Sequence, residues 1–188
     1  MSKMSKIKVG IIGVGNCAKS LVEGIQYYKT NPDDTVGLMY ESIGGYTVNE
    51  IEFVVGFDVD RRKVNKPLVD ALRAAPNCAM DHVEEILENG SNTSGCVKKG
   101  AMVYSGPELD GVAPHMLDYP EEVSFRTGAE AAKSFDDIVN IVKDTEVDVL
   151  INYAPVGSEK LSKFYIDVAL KAGVHFVNCI PTVISTKD

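Results

Sequence analysis

Apolar and polar positions along the chain change period repeatedly, and each change predicts an element. Ile7, Lys8, Val9, Gly10, Ile11 and Ile12 form a short β-branched run, apolar on both faces, which reads as a central parallel strand. After Gly13 and Gly15 the spacing shifts to threes and fours. Cys17, Ala18, Leu21, Val22, Ile25 and Tyr28 then mark one face of a helix, which Asn31-Pro32-Asp33-Asp34 ends. Residues 35–50 hold Gly37, Gly44 and Gly45 and read as an inserted loop. A second strand is predicted over residues 51–57, ending at Asp58. Residues 67–75 and 80–88 carry helical stripes, with Leu68 and Leu72, then Val83, Ile86 and Leu87, facing inward. Residues 89–95 are loop by composition, and a short strand is predicted around Ala101-Met102-Val103-Tyr104. Ser105-Gly106-Pro107 breaks it, and Pro114 and Pro120 keep the following stretch irregular. Ala131, Ala132, Phe135, Ile138, Val139 and Val142 make another helical stripe. Residues 147–153 read as a strand. Gly157 and Ser158 open a helix with Leu161, Phe164, Tyr165, Val168 and Ala169 inside, and Gly173 closes it. A last strand begins at His175 and includes Asn178, running to Pro181.

Strands alternating with helices predict an α/β protein with a parallel sheet and right-handed crossovers. The chain of 188 residues shows no repeat and no obvious linker, so a single domain over residues 1–188 is expected. Inserted loops are placed near 30–50 and 89–127. Composition narrows the function. Hydrophobic residues are 45% and charged residues 24%, as in globular proteins. Lys+Arg is 19 against Asp+Glu 27, for a net charge of −8. That balance argues against a nucleic-acid or anionic-membrane partner, which needs a basic face. A local pocket for a phosphorylated small molecule remains compatible with it.

Cys17, Cys78, Cys96 and Cys179 form no C-x-x-C pair and no zinc spacing, so reduced thiols and no metal site are expected. The opening residues MSKMSKIKVGIIGVG place lysines before an apolar run, as signal peptides do. That run is short, contains glycines, and meets Asn16 and Lys19 with no small-residue cleavage pattern. No stretch approaches the roughly 18 apolar residues of a membrane span. A cytoplasmic location is the expectation.

The chemistry is concentrated in Gly13-Val14-Gly15-Asn16-Cys17-Ala18, which fits G-x-G-x-x-G/A between a strand and a helix. Gly13 permits the tight turn, Gly15 lets a pyrophosphate approach the backbone, and Ala18 keeps helix and strand close. Free N–H groups at the helix start, with the helix dipole, hold the anion. The alternative is a purely structural turn. Asp58, at the carboxyl end of the second strand, is placed to accept the adenosine ribose diol. It follows Gly13 by 45 residues, where about 20 is usual, and the loop at 30–50 accounts for the excess. A carboxylate there repels the extra phosphate of NADP, so NAD is the expected cofactor; Arg61 and Arg62 are read as stacking on adenine or facing water. Two later strand ends should line the same crevice: Asn152 to Glu159, and Asn178-Cys179-Ile180-Pro181. Cys17 reads as a small residue tolerated beside the pyrophosphate. His82 and His115 read as exposed, and His175 as structural. No acid, base or nucleophile can be assembled from spacing.

The chain resembles the N-terminal portion of the myo-inositol-1-phosphate synthases of the bacterial and archaeal type. The resemblance rests on the glycine motif with Leu21-Val22 and Tyr27-Tyr28-Lys29, and on Phe57-Asp58-Val59-Asp60 with Lys63-Val64. It extends to Gly106-Pro107-Glu108-Leu109-Asp110-Gly111, Pro155-Val156-Gly157-Ser158-Glu159 with Phe164-Tyr165, and Phe176-Val177-Asn178 with Pro181. It implies a Rossmann-like fold and an NAD-dependent isomerase that converts D-glucose 6-phosphate to 1D-myo-inositol 3-phosphate. In that family oxidation at C5, aldol closure and re-reduction leave no net redox change. The resemblance puts Gly13, Val14, Gly15, Asn16 and Cys17 at the pyrophosphate and Asp58 at the ribose. Tyr104 falls near the adenosine side, and Ala154, Pro155, Val156 and Asn178 near the nicotinamide side. Family members are much longer than this chain. The remainder is expected to supply the catalytic lysines, most of the sugar-phosphate site and the sheet for homo-oligomer assembly, leaving these residues inactive alone. Lys160, Lys163 and Lys171 are read as solvated. A stand-alone NAD-binding sensor or partner module, and an NAD-linked dehydrogenase fragment, are the other readings the residues allow.

Overall fold

A computed structural model describes residues 5–80, 95–112, 114–128 and 131–184. The strands are β1 (Ile7–Ile12), β2 (Ile51–Asp58), β3 (Val97–Ser105), β4 (Val149–Asn152) and β5 (His175–Asn178). The helices are α1 (Asn16–Thr30), α2 (Leu68–Arg73), α3 (Phe135–Asp144) and α4 (Glu159–Ala172). All strand pairs are parallel, in the order β3-β2-β1-β4-β5. The chain therefore builds outward from β1 in one direction, then returns and builds outward in the other. This is the doubly wound, Rossmann-like arrangement, whose crevice opens beyond the carboxyl ends of β1 and β4.

One face of the sheet is covered by α1 and α2, which pack Ala18, Val22, Leu68 and Leu72 onto Val9, Ile11, Phe53 and Val103. The other face is covered by α3 and α4, with Ile138, Val142, Leu161, Tyr165 and Val168 against Ile12, Phe57 and Leu150. Both faces of β1 are thus dry, which is why its sequence lacks polar alternation.

Several boundaries differ from expectation. β3 starts earlier than its apolar centre: Val97 pairs with Phe53, the register then shifts across the exposed Lys98, Lys99 and Gly100, and regular pairing resumes at Met102 opposite Val55. Ala131 and Ala132 are exposed and precede α3, which starts at Phe135. There Ser134 and Asp137 form a reciprocal capping box, a stronger start signal than the upstream alanines. The strand predicted at 147–153 is confined to Val149–Asn152. The helix predicted at 80–88, with His82, and most of the loop at 89–95 lie outside the described residues. Residues 31–47 are irregular, followed by a single 3-10 turn over Val48–Glu50.

On α1 the buried face is wider than its apolar stripe. Lys19, Glu23 and Gln26 are buried alongside Ala18, Val22 and Ile25, while Cys17 is exposed. The Lys19 ammonium donates to the Ala79 carbonyl at 2.8 Å, and Gln26 Oε1 accepts the Cys96 N–H at 2.7 Å. Lys19 and Gln26 thus satisfy backbone groups of returning chain segments, and Glu23 Oε1 lies 3.9 Å from the Lys19 ammonium.

Candidate functional site

The ladder hydrogen bonds continue past the strand ends and align four turns at one edge. Gly13 N–H donates to Phe57 O at 2.9 Å, Tyr153 N–H to Ile12 O, Gly106 N–H to Asp58 O and Cys179 N–H to Asn152 O. Between these turns lies a cleft of about 400 Å³, within the usual range for small-molecule sites. Gly13, Gly15, Asn16 and Cys17 line it from β1 and α1, and Asp58 from β2. Ala154, Pro155 and Val156 follow β4. These eight expected residues are brought together by the fold.

The two motif glycines serve different ends. Gly13 has φ +80°, and a Cβ there would come within 2.7 Å of the Tyr153 carbonyl oxygen. Its lack of a side chain serves the chain's own packing. Gly15 has φ −98° and ψ −162°, an extended conformation open to any residue. A Cβ built on it meets nothing within 4 Å. Among the described residues nothing requires a glycine there. The free space lies in the cleft, against the start of a helix with no side-chain N-cap and no acidic residue in its first turn. That combination fits an anion resting on the backbone.

A second helix, α4, also begins beside the cleft, but its N-terminus is already filled. Asp110 accepts the N–H groups of Lys160 at 2.8 Å and Leu161 at 3.0 Å. Partial burial works against its charge, yet these two bonds, with its own backbone N–H and the Lys160 charge, hold the carboxyl below its ordinary value. The G-P-E-L-D-G segment is thereby tied onto α4, leaving the α1 start as the open one of the pair. Asp110→Ala should cost about 1 kcal/mol, the usual worth of a lost helix cap. A carboxyl depressed by folding stabilises above its unfolded pKa and stops doing so as pH falls through its folded one. Urea unfolding should therefore separate the two proteins at pH 7 and bring them together well below pH 4.

Asp58 is only 8% exposed. Its Oδ2 accepts the Val14 N–H at 2.7 Å, and its Oδ1 accepts the N–H groups of Val59 and Asp60 at 2.8 and 2.9 Å. A carboxylate offers about four acceptor positions, so room remains for one more donor from the cleft. Arg61 pairs with Glu121, and Arg62 with Asp60 and the Ser124 carbonyl. Both guanidiniums are drawn to the 121–124 turn. At Asp60, burial alone would raise the carboxyl, but the hydrogen bonds from Arg62 and Arg126 N–H hold it low.

Three expected residues stand apart from the cleft lining. Val14 is fully buried beneath the turn. Tyr104 packs with Phe57 at a ring separation of 6.4 Å, on the α3–α4 side of the sheet. Asn178 accepts from Asn152 Nδ2 at 2.9 Å and donates to the Ile180 and Thr182 carbonyls, shaping the turn after β5. Asn16 lines the cleft at the start of α1, but its side-chain oxygen accepts the N–H groups of Cys78 and Ala79 at 2.8 and 2.9 Å.

The apolar wall was hidden from sequence reasoning. Phe57, Phe125, Leu161 and Tyr165 line one half of the cleft, with Pro107. Tyr165 stands 5.6 Å from Phe57, ring to ring, and its phenol is pushed far up by burial, with the Asp58 charge adding to it. Tyr153 lies at the other half and is pushed up to about 12, chiefly by burial and then by Cys179. None of the described lining residues is Lys, Arg or His. Lys160 and Lys171 are exposed, and Lys163 is exposed and paired with Glu159. Among the described residues no cluster of His, Cys, Asp or Glu could hold a metal, and no helix is long and apolar enough to cross a membrane.

No protein-family model matches the chain. It is 41% identical over 184 residues to an inositol-3-phosphate synthase of Corynebacterium glutamicum, covering 97% of this chain and 46% of that protein. It is 39% identical over 183 residues to the synthase of Mycolicibacterium smegmatis, covering 96% and 45%. The chain spans about half the length of the curated relatives it matches. Among solved structures, Ari2 superposes with a TM-score of 0.73 at 26% identity, over 96% of this chain and 47% of that one. A myo-inositol-1-phosphate synthase-related protein from Thermotoga maritima shares the fold, with a TM-score of 0.63 at 18% identity, over 95% and 49%.

Proposed function

We propose that this chain, homologous to an N-terminal portion of the inositol-3-phosphate synthases, binds NAD and serves as the cofactor-holding part of such an enzyme. The observation that carries this reading is Gly15. It is a glycine that no described residue crowds, open to a cleft at the switch point of a doubly wound sheet. In this reading the diphosphate rests on the N–H groups at the start of α1. Asp58 accepts a ribose hydroxyl with its remaining lone pair. The adenine lies toward Pro107, Phe125 and Leu161, and the nicotinamide toward Ala154, Pro155 and Val156. NAD, when bound, supplies a hydride acceptor. The chain supplies orientation and a dry wall.

The proposed substrate is glucose 6-phosphate, converted to 1D-myo-inositol 3-phosphate. A sugar phosphate needs fixed cationic donors, and its proton transfers need a positioned acid and base. The cleft lining described above has no cationic side chain. These groups are therefore assigned to the part of the longer relatives that this chain does not match, where subunit assembly is placed as well.

Calorimetric titration with NAD and NADP tests the cofactor assignment. NAD should bind at least about fivefold more tightly than NADP, because a near-buried carboxylate a few ångströms from a phosphate repels it by ~1 kcal/mol or more. Asp58→Asn removes the charge and keeps most of the shape. It should weaken NAD and bring the two affinities together. An unchanged ratio would take Asp58 out of the site, and no NAD binding by the wild type would end the reading.

A further inference from the structure

Lys63 is fully buried beneath the glycine turn, a position its sequence neighbours do not announce. Its ammonium donates to the Val14 carbonyl at 2.7 Å and to Asn77 Oδ1 at 2.8 Å. Asn77 Nδ2 donates to the same Val14 carbonyl at 3.1 Å and to the Leu72 carbonyl at 2.9 Å. On the other side of the residue, the Val14 N–H is held by Asp58. Both peptide units flanking Val14 are thus gripped by ionisable side chains.

The grip has a directional consequence. A trans peptide is planar, with its C=O and N–H pointing in opposite directions. The Val14 carbonyl points inward to Lys63 and Asn77, so the Gly15 N–H points outward. Gly15 lines the cleft, the side to which this N–H is turned. The charge matters too. Two buried carboxylates stand close to the glycine turn of a cleft read as holding a diphosphate: Asp58, which lines that cleft, and Asp60, two residues on. Arg62 offsets one through its paired bonds to Asp60, and the Lys63 charge interacts through space with both Asp58 and Asp60.

We propose that Lys63 is a positioning residue for diphosphate recognition: it aims the Gly15 N–H into the cleft and cancels the repulsion of the carboxylates close to the turn. Burial lowers the affinity of this amine for its proton, and the neighbouring Asp58 and Asp60 work in the opposite sense. This inference rests on the dinucleotide reading above and deepens it.

The test compares NAD, ADP and adenosine against the wild type, Lys63→Met and Lys63→Gln, with melting temperature recorded for each. Lys63→Met keeps the stem volume and removes charge and donor; Lys63→Gln keeps a donor without the charge. Affinity for NAD and ADP should fall ten- to a hundredfold in Lys63→Met, with adenosine unchanged within twofold. Lys63→Gln should recover part of the loss. The Gly15 amide resonance should shift on ADP addition in the wild type and stay still in Lys63→Met. Should Lys63→Met not fold, Lys63→Gln carries the same comparison, with an intermediate loss expected. Equal losses for all three ligands, or none, would overturn the proposal, because a merely structural lysine makes no distinction between a diphosphate and a nucleoside. A wild type that binds adenosine but discriminates against NAD and ADP would overturn the dinucleotide reading itself, and this assignment with it.

Discussion

Replacing Gly15 with valine should abolish dinucleotide binding while costing less than about 1 kcal/mol of stability, mostly from a poorer N-cap residue. The backbone there is extended, at φ −98° and ψ −162°, where a β-branched residue is at ease. The new side chain projects into a region where no atom of the described residues beyond its chain neighbours lies within 4 Å of its Cβ. It therefore disturbs no packing, but fills the space through which an anion reaches the N–H groups of α1. Melting temperature should move by no more than roughly 2–4 °C, and titration with NAD should give no heat. A Gly15→Val protein that binds NAD as well as the wild type would mean that the turn is structural.

Gly13→Ala should have the opposite signature, a large loss of stability from one added methyl group. At φ +80° a non-glycine residue costs about 1–2 kcal/mol. Its Cβ would also lie 2.7 Å from the Tyr153 carbonyl oxygen, a backbone atom held by its place after β4. Overpacking of this kind costs about 1–3 kcal/mol more. The summed loss of about 2–5 kcal/mol should lower the melting temperature by roughly 10 °C and shift the urea midpoint to match. A variant as stable as the wild type would show that β1 and β4 do not close against each other at this turn. The two glycines stand two residues apart in one motif, and the paired measurements separate what folds the protein from what binds the ligand.

The relevant difference between these positions was not legible in the motif. G-x-G-x-x-A assigns a tight turn to Gly13 and a close approach to Gly15, and both assignments follow from strand-to-helix context. Only the superposition of Gly13 on the end of β4 identifies a specific atom that forbids a side chain. Sequence reading reached far where the physics is local. The two dry faces of β1 were written in its apolar run from Val9 to Ile12, the buried stripe of α4 in its three-and-four spacing, and its end in Gly173, whose φ of 78° suits a left-handed cap. The Asp58 position was legible as the carboxyl end of β2. From these signals the alternation of elements, the parallel sheet and the crevice edge all followed.

What the sequence could not report is how the chain returns on itself to satisfy polar groups. Lys63, Asn77 and Asp58 converge on Val14 from positions 44 to 63 residues away. Asp110 reaches α4 across 50 residues. Asn16 turns its side chain to the segment at Cys78 and Ala79. Tyr165 and Leu161, indistinguishable from ordinary core positions in the helical stripe, become one wall of the cleft. Hydrophobic periodicity tells which side of an element leaves water, because that preference is carried by each residue and repeats along the element. A buried ammonium or carboxylate is stable only beside its partners. Those partners are supplied by strand order and loop return, so the tertiary structure alone decided them.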